Sequence, residues 1–183
     1  MQRVSIILTV LVTLTYPLAI WLGEGRVEPR LLAGLLLLIG LTRLPSLAVS
    51  QAARWWLGGT MLLLVLAIWA NVSLPLKLYP VLVNATLFAV FAYSLIVPPT
   101  VAERFARLRE AELPEQGIAY TRRVTQVWCG FFIVNGGIAL FTALYVSSAV
   151  WWFYNGFLAY LFIGVLFAGE YCVRRHVKRL NHG

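Results

Sequence analysis

Apolar residues in this chain neither alternate nor recur with the spacing of a surface helix. They run in long blocks separated by short polar turns. A helix needs about 20 apolar residues to cross the hydrocarbon core of a bilayer. Six blocks reach or approach that length: 4–22, 31–49, 55–70, 78–97, 126–146 and 150–169. Each is predicted to be helical, because an open strand edge in lipid would leave backbone groups unpaired. "GEGRVEPR" (23–30) follows the first block, "NVSLPLK" closes the third, Pro98-Pro99 ends the fourth, and Ser147-Ser148 separates the fifth from the sixth. The second block is interrupted by Arg43 and Pro45. Either Arg43 snorkels from a full-length helix, or the helix ends near Leu44 and the following residues lie along the interface.

The pattern predicts an all-α fold: a polytopic transmembrane helical bundle of about six spans, with residues 1–183 forming a single integral membrane domain. It includes a loop, 98–125, and a basic tail, 170–183. The first run, Val4–Leu22, is longer than the apolar region of a signal peptide and is followed by no small-residue cleavage site, so it is expected to be retained. The loop holds its own short helix. In "PPTVAERFARLREAELP", Thr100 and Glu103 have capping-box spacing, and Pro114 stops the helix. Val101, Phe105 and Leu108 share one face, with Arg104, Arg107 and Arg109 around the others. This predicts either an amphipathic helix on the membrane surface or a solvated connector.

Composition agrees with the pattern. The chain is 61% hydrophobic and 12% charged, with a mean hydropathy of +0.81, whereas soluble domains carry about 25% charged residues. A net charge of +8 would suit nucleic acid, but these cations flank apolar spans, where they encode orientation. No nucleic-acid partner is expected, and membrane lipids are. Arg26, Arg30 and Lys77 fall in one set of alternate turns. The other twelve of the fifteen lysines and arginines fall at the N-terminus, around 43–54, in 98–125 and in the tail. The side with the excess is cytoplasmic, so both termini and the long loop are predicted to face the cytoplasm.

Little in the chain suggests catalysis. It has no aspartate, its histidines (His176 and His182) lie in the tail, and it has no HExxH, GxSxG or Walker sequence. Cys129 and Cys172 lie far apart, without metal-ligand or disulfide spacing. The glycine pairs Gly58-Gly59 and Gly136-Gly137 sit in or beside apolar helices and are not phosphate cradles. No catalytic residue, cofactor or metal is predicted.

Polar residues inside the spans are the better candidates. Asn84, Asn135 and Asn155 are intramembrane amides. By rise per residue, Asn84 and Asn155 lie roughly 8–9 Å inside the outer boundary and Asn135 nearer the midplane. They form either a small polar site among the fourth, fifth and sixth spans or interhelical glue, and glue is the commoner use of such amides. Ala139/Ala143 and Gly164/Ala168 are small-residue pairs suited to close helix packing. The near-minimal turn at Ser147-Ser148 predicts that the fifth and sixth spans form an antiparallel hairpin. Glu170 then comes level with Arg122 and Arg123 and pairs either with them or, at i,i+4, with Arg174. Arg104, Arg107, Arg109, Arg122 and Arg123, with Glu170, make a candidate cytoplasmic patch for lipid or an acidic partner. Trp55, Trp56, Trp69, Tyr79, Trp128, Trp151 and Trp152 sit near span ends and are read as an interfacial belt.

The region from Tyr79 to Glu170 carries Tyr79-Pro80 with Asn84, Glu103-Arg104, Tyr120-Thr121-Arg122-Arg123, Trp128-Cys129, Asn135-Gly136, Tyr154-Asn155-Gly156 and Glu170. In these pieces it resembles an uncharacterised family of bacterial inner-membrane proteins. Genes of that family often lie with ketosynthase, acyltransferase and acyl-carrier genes of aryl polyene biosynthesis. The order of a basic helix, "ELP", then a Trp and "FF" also resembles intracellular septation protein A, although that family usually has five spans. The first resemblance implies a multi-pass protein of the bacterial cytoplasmic (inner) membrane. It also implies a non-catalytic accessory or scaffold role in a membrane-associated acyl or aryl polyene pathway, with an acidic acyl carrier protein or pathway enzymes as partners. The alternatives are a small carrier or flippase for an amphipathic lipid-like anion, and a septation or envelope factor. Homo-oligomerisation stays open.

Overall fold

The computed structural model describes residues 21–23, 26–31, 33–34, 51–70, 72–108 and 112–180, apart from the side chains at 51–57 and 174–180. Among these residues every regular element is helical. Besides short helical pieces at 21–23, 29–31 and 33–34, they are α1 (Gln51–Ala70), α2 (Leu74–Lys77), α3 (Tyr79–Ile96), α4 (Val101–Arg107), α5 (Glu115–Tyr145), α6 (Ser148–Phe153) and α7 (Ala159–Leu180). A π turn, Tyr154–Leu158, joins α6 to α7. Three helical stretches are long and apolar enough to cross a membrane: Leu74–Ile96, Glu115–Tyr145 and Ser148–Val173. They cover the predicted blocks 78–97 and 126–146 to within one residue at the C-terminal end, and all of 150–169. Gly58–Ala70, in the predicted third block, is a shorter apolar helix. The predicted first span, 4–22, and second span, 31–49, lie almost wholly outside the described residues.

Two boundaries differ from the sequence expectation. "LPLK" is not a closing loop but a helical turn, α2, which leads straight into α3. Pro75 and Pro80 are tolerated because each lies in a first helical turn, where backbone N–H groups have no intrahelical partner. Lys77 is therefore a buried helix residue rather than a loop cation. At the other end, α5 begins at Glu115, directly after Pro114, and runs unbroken for 31 residues. Hydropathy marks only the part of this helix that suits lipid. Glu115 in its first turn complements the positive end of the helix dipole.

The most extensive helix contact is α3 against α5, with α1 packed on α3 and α4 on α5. Gly59 admits α3 to α1, since a Cβ there would lie 2.8 Å from Leu82 Cδ1. α6, the π turn and α7 run back along α5: Thr142 meets Asn155, Asn135 meets Tyr154, Trp128 meets Phe167, and Tyr120 meets Glu170. From Asn135–Tyr154 through Trp128–Phe167 to Tyr120–Glu170 the pairs run in opposite sequence order, which is the register of an antiparallel hairpin. The lower part of that hairpin is spaced by aromatic rings. Trp128 lies among Phe91, Phe131, Phe132 and Phe167, with ring centroids 4.7–6.4 Å away.

At the turn end of the bundle, Ala33, Leu64, Ala67, Leu76, Ala143 and Trp151 form the buried core. Trp151 has no exposed surface, and its indole N–H donates to the Lys77 carbonyl at 3.2 Å. Two of the tryptophans read as interfacial, Trp128 and Trp151, are thus core residues, whereas Trp69 stands out from the fold. The indole is large enough to fill the wedge between α2, α5 and α6, and the carbonyl at its end satisfies its one donor. Trp152 stacks on Trp21, with centroids 4.9 Å apart.

Replacing a buried large aromatic residue with alanine removes both its burial and its shape. Trp151→Ala is expected to cost about 3 kcal/mol or more. Trp69→Ala should stay within about 0.5 kcal/mol of the parent. Thermal or denaturant unfolding in detergent micelles measures both, and equal losses would contradict this assignment of the core.

Candidate functional site

A chain of side-chain hydrogen bonds crosses the middle of the bundle. Tyr154, at the start of the π turn, donates its hydroxyl to Asn135 Oδ1 at 2.9 Å. Asn135 Nδ2 on α5 donates to Asn84 Oδ1 on α3 at 3.0 Å. Asn84 Nδ2 closes the chain on the Pro80 carbonyl of its own helix at 2.8 Å. All three side chains are buried. The chain has one direction because each amide offers its oxygen to one neighbour and its N–H to the next.

Gly136 permits this contact. A Cβ at that position would lie 3.0 Å from Asn84 Cβ, whereas one at Gly137 would meet nothing within 4 Å. The glycine lets the two backbones approach until the amides reach each other. The depths agree as well. Asn84 lies ten residues from Leu74 and Asn135 ten residues from Tyr145, so both sit about 15 Å from the turn end. Asn84 lies deeper than the block 78–97 implies, because the helical stretch that carries it begins at Leu74.

Asn155 belongs to a separate link. Its Nδ2 donates to Thr142 Oγ1 on α5 at 3.2 Å and to the Trp151 carbonyl at 2.9 Å. Thr142 in turn donates to the Ala139 carbonyl at 3.0 Å. By holding the Trp151 carbonyl, the Asn155 amide competes with the regular backbone ladder. Gly156 follows it and adds little helix propensity. The ladder widens here, and Ala159 N–H reaches back to the Tyr154 carbonyl. The structure thus joins Asn84 to Asn135 and ties Asn155 nearer the turn end. Tyr154 and Thr142, absent from the sequence-based candidates, complete the two links. Among the described side chains, no buried polar atom lacks a hydrogen-bond partner.

A second polar cluster lies where α4 meets α3 and α5. Thr100 and Glu103 form the capping box. Val101 N–H donates to Ser94 Oγ at 3.1 Å, and Ala102 N–H to Thr125 Oγ1 at 3.4 Å. The first turn of α4 is therefore fastened to both neighbouring helices. The buried Glu103 accepts from Arg107 at 2.8–2.9 Å, so the Arg107 charge is largely offset within α4. Arg104 is exposed, and its Nε donates to the Pro99 carbonyl at 3.0 Å. Arg122 and Arg123 are exposed on α5, close to Thr125. Glu170 is half-buried, and its carbonyl accepts from the Tyr120 hydroxyl at 3.2 Å. Arg109 and the Arg174 side chain lie outside the described residues. The apolar face of α4 points away from the protein, with Phe105 68% and Leu108 81% exposed. The inward face carries Glu103 and Ala106, because the hydrogen bonds at Ser94 and Thr125 fix the helix that way round.

Near the other end of the bundle, Lys77 Nζ donates to Ser148 Oγ at 2.5 Å. In the exposed turn before Leu31, Arg30 donates to Glu28. That hydrogen bond, with the Arg30 charge, holds the Glu28 carboxyl below its usual range. Among the described residues, no three His, Cys, Asp or Glu side chains gather as a metal site. No family model, curated protein or solved structure matches the chain.

Double-mutant cycles can separate the two links. Asn84→Ala and Asn135→Ala should couple by about 0.6 kcal/mol, and by no more than about 2 kcal/mol, as interhelical hydrogen bonds do. Asn84→Ala and Asn155→Ala should be nearly additive. Gly136→Ala should destabilise the protein more than Gly137→Ala. Additivity of the first pair, or equal effects of the two glycine changes, would contradict this geometry.

Proposed function

We propose that the chain is a non-catalytic accessory or scaffold protein of a bacterial cytoplasmic membrane. In this reading it crosses the bilayer six times with both termini inside, and serves a membrane-associated acyl or aryl polyene pathway. One contrast carries the reading. The buried polar side-chain atoms within the described spans all have hydrogen-bond partners inside the protein, while exposed cations gather at the end that carries α4. Amides that hold helices together are not free to hydrate a moving solute. Arg104, Arg122 and Arg123 instead offer a cationic surface where soluble proteins arrive. Acyl carrier proteins are acidic, so charge complementarity would give contact with one a fast, salt-sensitive on-rate. The resemblance over Tyr79–Glu170 supplies the pathway. The excess of cations at the termini and in 98–125 supports the orientation.

Two measurements test the proposal. Reporter fusions after Gly183 and within 112–118 should report cytoplasm, and a fusion at Ser147-Ser148 should report periplasm. A periplasmic tail would overturn the six-span arrangement. A photoreactive residue in place of the exposed Ala119 should crosslink to acyl carrier protein at low salt and lose most of that product at high salt. Arg122→Gln with Arg123→Gln should reduce both the crosslink and pathway output while leaving the protein level unchanged. These positions suit the test better than Arg107, because Arg107→Glu would set two carboxylates one turn apart on α4. Full output from the correctly inserted double variant would count against docking here.

A further inference from the structure

We infer that α4 is an interfacial lipid-binding element. Its Phe105 and Leu108 enter the boundary between headgroups and acyl chains, and the cations beside them recognise anionic phospholipid headgroups. The inference rests on the membrane-spanning reading of α3 and α5 and is independent of any pathway or protein partner.

The position of α4 follows from its fastenings. Ser94, which accepts from Val101 N–H, is twenty residues from Leu74, the start of one apolar stretch. Thr125, which accepts from Ala102 N–H, is twenty residues from Tyr145, the end of another. At 1.5 Å per residue both lie about 30 Å along the helices, one hydrocarbon thickness from the turn end. The first turn of α4 is therefore pinned where hydrocarbon gives way to headgroups. The same fastenings turn Glu103 and Ala106 inward and leave Phe105 and Leu108 standing out. Two large apolar side chains held outward at this level meet lipid rather than bulk water.

Charge selects the kind of lipid. Arg107 is matched by Glu103, which leaves Arg104 as the cation that α4 presents outward. Arg122 and Arg123 project from α5 about one turn beyond Thr125, on the side away from the hydrocarbon. A guanidinium at this level forms paired hydrogen bonds with a phosphate. Apolar side chains in the boundary with cations beside them are the chemical complement of an anionic headgroup surface.

Labels at single positions test this directly. Nitroxides are placed one at a time at 105, 108 and the exposed 116 in full-length protein carrying Cys129→Ala and Cys172→Ser. The protein is reconstituted in phosphatidylcholine vesicles with and without phosphatidylglycerol. Collision with oxygen and with a water-soluble nickel chelate reports depth. With phosphatidylglycerol present, labels at 105 and 108 should collide several-fold less with the chelate than the label at 116. Without phosphatidylglycerol, or with Arg104→Gln, they should shift toward water. Chelate access at 105 and 108 equal to that at 116 would overturn the insertion. A depth indifferent to both changes would overturn the headgroup recognition. Protection that appears only when acyl carrier protein is added would assign this face to a protein, and the lipid proposal would fail even if the docking proposal stood.

Discussion

The hydrogen bond from Asn135 to Asn84 is the constraint around which the rest of the described bundle is arranged. Between two helices in lipid, no water replaces a lost partner, so an amide must find one within the protein. That requirement sets the register of α3 against α5, because the two side chains meet only at one depth. It also sets their separation, because the bond forms only where Gly136 lets the backbones close. Tyr154 then donates its hydroxyl to Asn135 Oδ1 and fixes the register of the returning helix. Individually such bonds are weak, about 0.6 kcal/mol on average. Their main effect is specificity, since an arrangement displaced by a turn would strand several polar groups at once.

Either side of this midline, the two ends of the bundle are built differently. The turn end is closed by packing: Trp151 fills the space between α2, α5 and α6, and Lys77 links to Ser148. The other end is closed by hydrogen bonds from the backbone of α4 to Ser94 and Thr125, with the capping box holding the turn in shape. Fastening α4 by its first turn leaves its far face for other surroundings. Among the described side chains every buried polar atom thus has a partner, while the α4 end offers cations and apolar side chains outward. That asymmetry is what a docking or anchoring role requires.

Helix class and the location of the described spans were legible in the chain because block length is a direct requirement of bilayer thickness. The three asparagines stood out for the same reason, as costly groups in an apolar run. Their partners did not. Tyr154 reads as one more aromatic near a span end, and Thr142 as an ordinary helix residue, until the hairpin register sets them opposite Asn135 and Asn155. Gly136 was visible next to Asn135, but its use depends on the approach of α3. Lys77 looked like a loop cation because two prolines surround it. Their first-turn positions let the helix begin earlier, and this shifted the inferred depth of Asn84. The inward side of α4 was also hidden: pattern alone marks Phe105 and Leu108 as an apolar face but does not say that backbone hydrogen bonds turn it away from the protein.

The close approach of α3 and α5 at one register can be measured with a disulfide. A Cβ at Gly136 would lie 3.0 Å from that of Asn84. Disulfides hold the two Cβ atoms about 3.5–4.5 Å apart, so a small relaxation is enough to form one. In membranes containing the chain with Cys129→Ala and Cys172→Ser, Asn84→Cys with Gly136→Cys should oxidise rapidly and nearly completely to an intramolecular bond. Asn84→Cys with Gly137→Cys should oxidise slowly or not at all. Equal oxidation of the two pairs, or failure of the first, would contradict the register and separation on which this account depends.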